Sequence, residues 1–202
     1  MRKIGAVILA AGGSSRFGQP KQLLPFHGKT LVRTIIDAAR EAGCSPVVIV
    51  IGSDSETIHG EVGQANVIEV RNTNWQCGIG SSIRSGVQAL IGHAPDVEAT
   101  FLLVCDQPAV NARLIERLIA THQATNKKIV ASSYADTVGV PALFDRSLFQ
   151  ELLSLGDEAG AKSIILRDSV HMAQFPFPDG AIDIDTWVDW EKLNTRMSSR
   201  TK

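Results

Sequence analysis

Residues 4–21 read IGAVILAAGGSSRFGQPK, and this stretch decides the fold. It begins with a continuous run of branched and small apolar residues, Ile4–Ala10, which is typical of a strand covered on both faces. A loop of small residues follows directly and carries two cations, Arg16 and Lys21. Small residues let a backbone approach a ligand and point its N–H groups inward, which suits a polyphosphate. We therefore expect a buried strand that ends at a phosphate-binding loop.

Outward from this stretch, apolar strand runs alternate with helical periodicity along the chain. Further strands are predicted at 46–51, 66–70, 100–104, 129–133 and 138–144, and helices at 30–42, 81–91, 111–122, 147–155, 159–167 and 187–193. This alternation predicts an α/β fold of three layers, a doubly wound, mostly parallel, Rossmann-like sheet with helices on both faces. We expect one domain over residues 1–195 and a polar tail over 196–202. Such sheets bind ligands at the carboxyl ends of their strands.

Composition excludes several classes of function. The chain has 20 basic and 21 acidic residues in 202, so its net charge is −1. A chain without an excess of positive charge is not expected to bind nucleic acid or a membrane surface by bulk electrostatic attraction. No apolar run reaches the ~18 residues of a membrane span, and no segment reads as a signal peptide. Cys44, Cys77 and Cys105 form no CxxC pair. Unpaired thiols favour a cytoplasmic location over a disulfide framework or a zinc site.

The glycine-rich loop matches neither common phosphate motif. GxxxxGK[ST] is absent, and the spacing of Gly12, Gly13 and Gly18 does not fit GxGxxG. An oxidoreductase that binds a nicotinamide or a flavin is therefore disfavoured. Arg16 offers a planar fork for phosphate oxygens and Lys21 offers a compact charge. Together they can neutralise a triphosphate and the charge that develops on its α-phosphorus.

Acidic residues near two predicted element boundaries are candidate metal ligands. Asp106 follows the strand at 100–104, where it can bind Mg²⁺ or cap a helix. Asp183 and Asp185 alternate, which predicts one face of a short strand. The alternative is that Asp185 or Thr186 caps the last helix.

Two further segments carry small or polar residues with alternative interpretations. Residues 72–84 (NTNWQCGIGSSIR) lead into a helix and can contact a base or a phosphate, or Ser81 or Ser82 can simply cap that helix. Residues 138–144 (VGVPALF) can face a second substrate, or can form an edge strand that tolerates proline.

The string LAAGGSSRFGQPKQLLP, residues 9–25, resembles the nucleotidyltransferase signature LAAGxSxRxGxxKxLL. Within the MobA-like NTP transferases, four later segments are similar to the molybdenum cofactor cytidylyltransferase (MocA-like) branch. They are WQCGIGSSI at 75–83, GVPALF at 139–144, GDEAGAK at 156–162 and DIDTWVDW at 183–190. The last two depart from the branch, by one extra residue before Gly160 and by Trp187 where proline is usual. The resemblance covers about residues 4–193.

The resemblance implies a role for each matching position. Arg16, Lys21 and Asp106 would be catalytic, and Asp106 with Asp185 would hold Mg²⁺, with Asp183 the alternate ligand. Lys162 would contact the acceptor, together with Gly139 and Pro141. The nucleotide would be bound by Leu9, Ala10, Ala11, Gly12, Gly13, Ser14, Gly80, Ser81 and Ser82.

The implied reaction is Mg²⁺-dependent transfer of a nucleoside monophosphate from an NTP to a phosphorylated small molecule, with release of pyrophosphate. CTP is favoured because residues 9–12 read LAAG, where related guanylyltransferases read LAGG. Molybdopterin is the implied acceptor, a molybdoenzyme the implied recipient, and a monomer the expectation. Guanylyl transfer and a sugar phosphate or alditol phosphate acceptor stay open, as does a non-catalytic nucleotide- or cofactor-binding chaperone.

Overall fold

A computed structural model describes residues 2–14, 17–53, 55–63, 65–167 and 169–198. The strands are β1 (Ile4–Ala10), β2 (Pro25–Phe26), β3 (Lys29–Thr30), β4 (Val47–Ile51), β5 (Ile68–Arg71), β6 (Ala99–Val104), β7 (Ile129–Tyr134), β8 (Thr137–Asp145) and β9 (Met172–Pro176). The helices are α1 (Leu31–Glu41), α2 (Ser55–Val62), α3 (Ile79–His93), α4 (Ala112–Thr125), α5 (Phe149–Leu153), α6 (Lys162–Arg167) and α7 (Trp187–Ser198).

Seven strands form one sheet in the order β5-β4-β1-β6-β8-β7-β9. Strand β8 pairs antiparallel with β6 and β7, and all other pairings in this sheet are parallel. The chain runs from β1 out to β4 and β5, and α3 then carries it across to β6 on the other side of β1. This reversal creates a crevice at the carboxyl ends of β1 and β6. The predicted α/β fold is confirmed.

Helices cover both faces of the sheet, because β1 alternates its buried side chains between two apolar clusters. Ala6 and Ile8 face the cluster that includes α1, α2 and α4, whereas Val7 faces the cluster that includes α3, α5 and α6. No described helix is long and apolar enough to cross a membrane. A third cluster packs α7 and Ile184 onto the β2–β3 hairpin through Phe17, Leu24, Phe26, Leu31, Trp190 and Leu193.

Two local expectations need correction. The short strand predicted at Asp183–Asp185 is wrong, because residues 182–186 pair with no described strand. Ile184 instead buries its side chain in the α7 cluster and donates its N–H to the Asp106 carbonyl (3.0 Å). The proline of residues 138–144 does not lie in an edge strand either, since β8 lies between β6 and β7. Pro141 falls where the β7–β8 register shifts, so its missing N–H interrupts no regular ladder.

Other outcomes concern helix ends and short elements. Thr30 and Asn111 cap α1 and α4 by accepting from Arg33 N and Leu114 N. Helix α7 continues to Ser198, past the predicted start of the tail, and residues 199–202 lie outside the described part of the chain. Sequence patterns missed α2, the β2–β3 hairpin and β9, which are short and weakly patterned.

Gly86 lets α3 lie close to the sheet, and this contact supports a stability prediction. A Cβ at Gly86 would meet Val7 Cγ1 and come within 2.8 Å of Val50 Cγ2, whereas a Cβ at Gly92 in the same helix would meet nothing within 4 Å. We expect Gly86→Ala to lower the free energy of unfolding by about 1–3 kcal/mol through overpacking. Gly92→Ala should leave it unchanged or raise it, because alanine favours helix. Urea unfolding measures both, and equal effects would contradict this account.

Candidate active site

The loop after β1 is held in shape by the buried side chain of Gln22. Its Nε2 donates to the carbonyls of Ala10 (2.8 Å) and Gly12 (3.0 Å), and its Oε1 accepts from Ser14 Oγ (3.3 Å). The Ser14 hydroxyl in turn accepts from the backbone N–H of Lys21 (2.8 Å). These bonds fix both ends of the loop, so Lys21 starts from a defined backbone position. Arg16 and Ser15 lie outside the described residues.

Trp75 forms a wall beside this loop. A Cβ at Gly13 would lie 2.9 Å from Trp75 Cη2, and one at Gly52 would lie 2.6 Å from Trp75 Cγ. Glycine is therefore required at both positions for the indole to pack there. A cavity of about 320 Å³ opens next to it. Its lining is Leu9, Ala11, Gly12, Lys21, Gln22, Trp75, Gln76, Gly78, Ile79, Ser82, Val104, Cys105 and Asp106.

A charged cluster lies at this cavity. Lys21 Nζ contacts Asp106 Oδ2 at 2.7 Å and Asp185 Oδ1 at 3.2 Å, and it also lies 3.4 Å from the Ile184 carbonyl. Burial alone would lower the pKa of Lys21, but the Asp106 and Asp185 carboxylates outweigh it and raise the pKa. Lys21 is therefore charged at neutral pH. Three distant parts of the chain meet at this one ammonium.

The Asp185 carboxylate is free to contact Lys21 because Thr186, and not Asp185, caps α7. Thr186 Oγ1 accepts from the backbone N–H of Asp189 (3.3 Å), and Asp189 Oδ2 accepts from Thr186 N (2.9 Å) and Thr186 Oγ1 (2.6 Å). This reciprocal arrangement is a capping box.

Partial burial and the nearby Asp106 carboxylate raise the pKa of Asp183, although the Gln107 amide lowers it in part. Negative charge is thus concentrated around Lys21.

The start of α3 rests on the turn at residues 156–160. Gly80 donates its N–H to the Asp157 carbonyl (2.7 Å), and a Cβ there would collide with the Gly156 carbonyl oxygen. Arg84 extends the contact to the Leu155 carbonyl and the Asp157 carboxylate. These contacts give Gly80 a packing role. Its predicted contact with the nucleotide stays a prediction.

Ser81 and Ser82 are buried in a network with Asn72. Asn72 Nδ2 donates to Ser81 Oγ (2.9 Å) and Ser82 Oγ (3.0 Å). Ser81 lies within reach of the Gly78 carbonyl (2.8 Å) and forms no side-chain cap of α3. Ser82 lines the cavity, and none of these bonds uses its own hydrogen. Of the two hydroxyls, that of Ser82 is the one placed to donate to a ligand.

A second groove, of about 790 Å³, lies where β7, β8 and β9 meet α6. Lys162 reaches into it and donates to Thr137 Oγ1 (2.6 Å). Its other lining residues are Ser133, Tyr134, Ala135, Asp136, Thr137, Val138, Leu166, Met172 and Gln174. Gly139 and Pro141 are instead buried within β8. Among the three predicted acceptor residues, the structure brings Lys162 alone into this lining, and acceptor contact by the other two stays a prediction.

The structure brings together part of the predicted set. Lys21, Asp106 and Asp185 meet directly, and Leu9, Ala11, Gly12 and Ser82 line the same cavity, whereas Ala10, Gly13, Ser14, Gly80 and Ser81 support its walls. Sequence reasoning missed Gln22 and Gln107, and it named Trp75 only as part of the segment at 72–84. Gln22 directly follows the signature lysine, so its position was a usable signal. Cys105 lines the cavity as a neutral thiol, because burial raises its pKa.

The carboxylates have the chemistry of a site for a hard divalent cation. Asp106 and Asp185 already bracket one positive ion, the Lys21 ammonium, at 2.7 and 3.2 Å. Within the described residues, no group of three or more His, Cys, Asp and Glu side chains forms a metal centre. Mg²⁺ is commonly held by one or two carboxylates together with substrate phosphates, so these donors fit.

Three relatives place the chain among known proteins. It is 30% identical to nicotine blue oxidoreductase of Paenarthrobacter nicotinovorans over 171 residues, which is 81% of each chain. It is 24% identical to the molybdenum cofactor cytidylyltransferase of Escherichia coli K12 over 98% of this chain and 99% of that protein. Rv0371c of Mycobacterium tuberculosis H37Rv shares 30% identity and a TM-score of 0.79 over 95% of this chain and 97% of that chain. The same protein has been solved in complex with manganese, at 29% identity over 95% and 97% of the two chains, with a TM-score of 0.74.

Family membership follows from the extent of a further match. Residues 6–172 match the MobA-like NTP transferase domain, and this span contains β1, its glycine loop, Lys21 and Asp106. Asp185 lies beyond it, on the segment that precedes α7. The chain therefore belongs to the family of MobA-like NTP transferase domains and is an enzyme of the nucleotidyltransferase class.

Proposed function

We propose that the chain transfers a nucleoside monophosphate, most favourably CMP from CTP, to a phosphorylated acceptor, most favourably molybdopterin, with Mg²⁺. One observation carries the proposal. A half-buried ammonium and two carboxylates meet beside a cavity walled by a glycine loop, with Lys21 at 2.7 Å from Asp106 and 3.2 Å from Asp185. The preference for CTP and molybdopterin is supported by the LAAG sequence and by the name of the Escherichia coli relative.

In this proposal the nucleotide occupies the cavity after β1. Backbone N–H groups of the glycine loop and the Ser82 hydroxyl approach it, and Lys21 neutralises phosphate charge. Arg16, outside the described residues, would add a second cation from the same loop. Asp106 and Asp185 would hold Mg²⁺, with Asp183 the alternate ligand. Bound there, the ion would neutralise charge on the phosphate oxygens.

The reaction is an in-line displacement at the α-phosphorus. A phosphate oxygen of the acceptor forms the new P–O bond, and the bond between the α-phosphorus and the bridging oxygen breaks, so that pyrophosphate leaves with the electron pair. The attacking phosphate is already ionised and needs no general base. Catalysis would therefore consist of positioning and charge neutralisation. The acceptor would lie in the groove that Lys162 reaches, where its ammonium can pair with a phosphate.

The direct test measures pyrophosphate release with Mg²⁺ and molybdopterin in parallel reactions with CTP, GTP, ATP and UTP. We expect release with CTP. Release with GTP alone would reassign the chain to guanylyl transfer. Release with none of the four, from protein that binds CTP, would remove molybdopterin, and sugar phosphates and alditol phosphates would then be tested. Binding of CTP without turnover on any acceptor would favour a nucleotide- or cofactor-binding chaperone.

One observation favours a second candidate, an oxidoreductase. The relative named nicotine blue oxidoreductase is 30% identical over 81% of this chain. The missing GxGxxG fingerprint counts against a nicotinamide site of the common type. The same protein sample incubated with NADH or NADPH and an electron-accepting dye would show loss of the absorbance of the reduced nicotinamide if this candidate were right. Dye reduction without pyrophosphate release would replace the primary proposal.

Removing the Asp106 carboxylate should abolish catalysis without unfolding the protein. We expect Asp106→Asn to reduce turnover by about 10²-fold or more, because an electrostatic contact at the reacting phosphates is lost. Asp96→Asn is the matched control, since Asp96 also pairs with a lysine at 2.7 Å, Lys3. Steady-state pyrophosphate release and circular dichroism measure both variants. Similar turnover in the two variants would contradict the role of Asp106.

Lys21 and a divalent cation compete for the same carboxylates, so removal of Lys21 should affect metal binding and turnover in opposite directions. Without nucleotide, Lys21→Met should bind Mn²⁺ roughly tenfold or more tightly than wild type, since ion contacts near a protein surface contribute on the order of 1–4 kcal/mol. Its turnover should nevertheless fall by about 10²-fold. Electron paramagnetic resonance of free Mn²⁺ measures the affinity, and Lys3→Met is the control. Unchanged Mn²⁺ affinity would show that Lys21 does not occupy the cation position.

A further inference from the structure

The residue after Asp106, Gln107, is a buried polar side chain with an uneven set of partners. It is 4% exposed. Its Nε2 donates to the Gly180 carbonyl at 3.1 Å and lies 3.4 Å from Tyr134 Oη, which itself donates to the Val140 carbonyl at 3.0 Å. Its Oε1 is buried and has no hydrogen-bond partner among the described residues. All the hydrogen bonds of this amide in the described structure are therefore made through its nitrogen.

The segment that Gln107 contacts carries both of the other candidate metal ligands. Residues 180–186 belong to no strand, so no ladder fixes their position. Besides the contacts of Lys21 with Asp185 and the Ile184 carbonyl, two hydrogen bonds from consecutive residues hold the segment at the carboxyl end of β6. The Asp106 carbonyl accepts from Ile184 N (3.0 Å), and the Gln107 amide donates to the Gly180 carbonyl. Asp183 lies between these attachments, and Asp185 follows them directly.

Packing next to Gly180 leaves little freedom for this attachment. A Cβ at Gly180 would lie 2.6 Å from Phe177 Cδ1 and 2.6 Å from Tyr134 Cδ1, so the backbone there is tightly enclosed. The pKa of Asp183, which partial burial and Asp106 raise, is lowered in part by the Gln107 amide. The Gln107 amide therefore holds the segment through an enclosed stretch of backbone at Gly180.

Stability alone does not account for glutamine at this position. A buried amide oxygen without a partner lowers stability, and an apolar side chain of similar length would exchange that penalty for the loss of the donor to the Gly180 carbonyl, so glutamine brings little net stability. Residues that break a local rule in this way are expected where function requires them. The Nε2 bond to the segment that carries Asp183 and Asp185 is the function that the contacts indicate.

We propose that Gln107 is a positioning residue whose side-chain amide holds residues 180–185 against the end of β6, so that Asp183 and Asp185 lie beside Asp106. The proposal rests on the proposed function, because it assigns these carboxylates to a divalent cation. It deepens that function by naming the side chain that orients the second ligand. Partners that orient metal ligands from outside the coordination sphere act in this way in other metal sites.

The test is Gln107→Met, which keeps the length of the side chain and removes the donor. With α,β-methylene-CTP bound, we expect Mn²⁺ affinity to fall by about 10–100-fold, the effect of losing an orienting partner. The Mg²⁺ concentration for half-maximal turnover should rise by a similar factor. Saturating Mg²⁺ should restore most of the turnover. The KM for CTP at saturating Mg²⁺ should stay unchanged. A merely structural role would lower the melting temperature or the active fraction without this metal dependence.

Two further variants keep the test decisive. Gln150→Met, on the exposed face of α5, should match wild type in every measurement. Gln107→Asn keeps a buried amide but shortens its reach, and it should show the same loss of Mn²⁺ affinity. Unchanged Mn²⁺ affinity in folded Gln107→Met, or failure of both Gln107 variants to fold, would overturn the proposal. Wild type that binds Mn²⁺ but transfers no nucleotide would instead refute the proposed function and leave the positioning role intact.

Discussion

The site depends on one constraint in the sheet, the parallel pairing of β1 with β6. The register aligns Leu9 with Val104, so the two strands end at the same level. The glycine loop and Asp106 are therefore neighbours although almost 100 residues separate them in the chain. That pairing exists because α3 crosses from β5 to the far side of β1. The glycine loop and the Asp106 carboxylate meet where the strand order reverses.

The balance of charges among Lys21, Asp106 and Asp185 determines which ligands the crevice can bind. Lys21 is largely removed from water, which by itself disfavours its charge, yet two carboxylates more than compensate. In the absence of ligands this ammonium is the counter-ion of Asp106 and Asp185. Under the proposed function, a triphosphate that binds with a divalent cation would change both partners at once, because the carboxylates would gain the metal and the lysine would gain phosphate oxygens. Each charge would exchange one partner for another, so binding would avoid leaving a partly buried charge unpaired.

Much of this arrangement could be predicted from the sequence because it is encoded locally. The apolar run of β1 and the loop that follows it indicate both the strand and its ligand, and Asp106 follows another apolar run. The structure of the segment around Asp183 and Asp185 was harder to predict from the sequence. Its alternation suggested a strand, but Ile184 is apolar because it packs against α7 and the β2–β3 hairpin. Long-range contacts of this kind, like those of Gln22 and Gln107, have no local signature.

The nucleotide cavity and the groove at Lys162 differ in how firmly the surrounding structure holds them. The nucleotide cavity is bounded by central strands and by backbone that Gln22, Trp75 and the 156–160 turn hold in place. The groove at Lys162 is formed by the outer strands β7 and β9, the hairpin at 134–137 and the six-residue helix α6. Substitutions in that groove touch few buried contacts and so cost little stability. One nucleotide-binding core can therefore serve different second substrates, which fits a relative at 30% identity that bears the name of an oxidoreductase. Under the proposed function, the identity of the acceptor would therefore depend on the outer strands of the sheet, where Lys162 lines the groove.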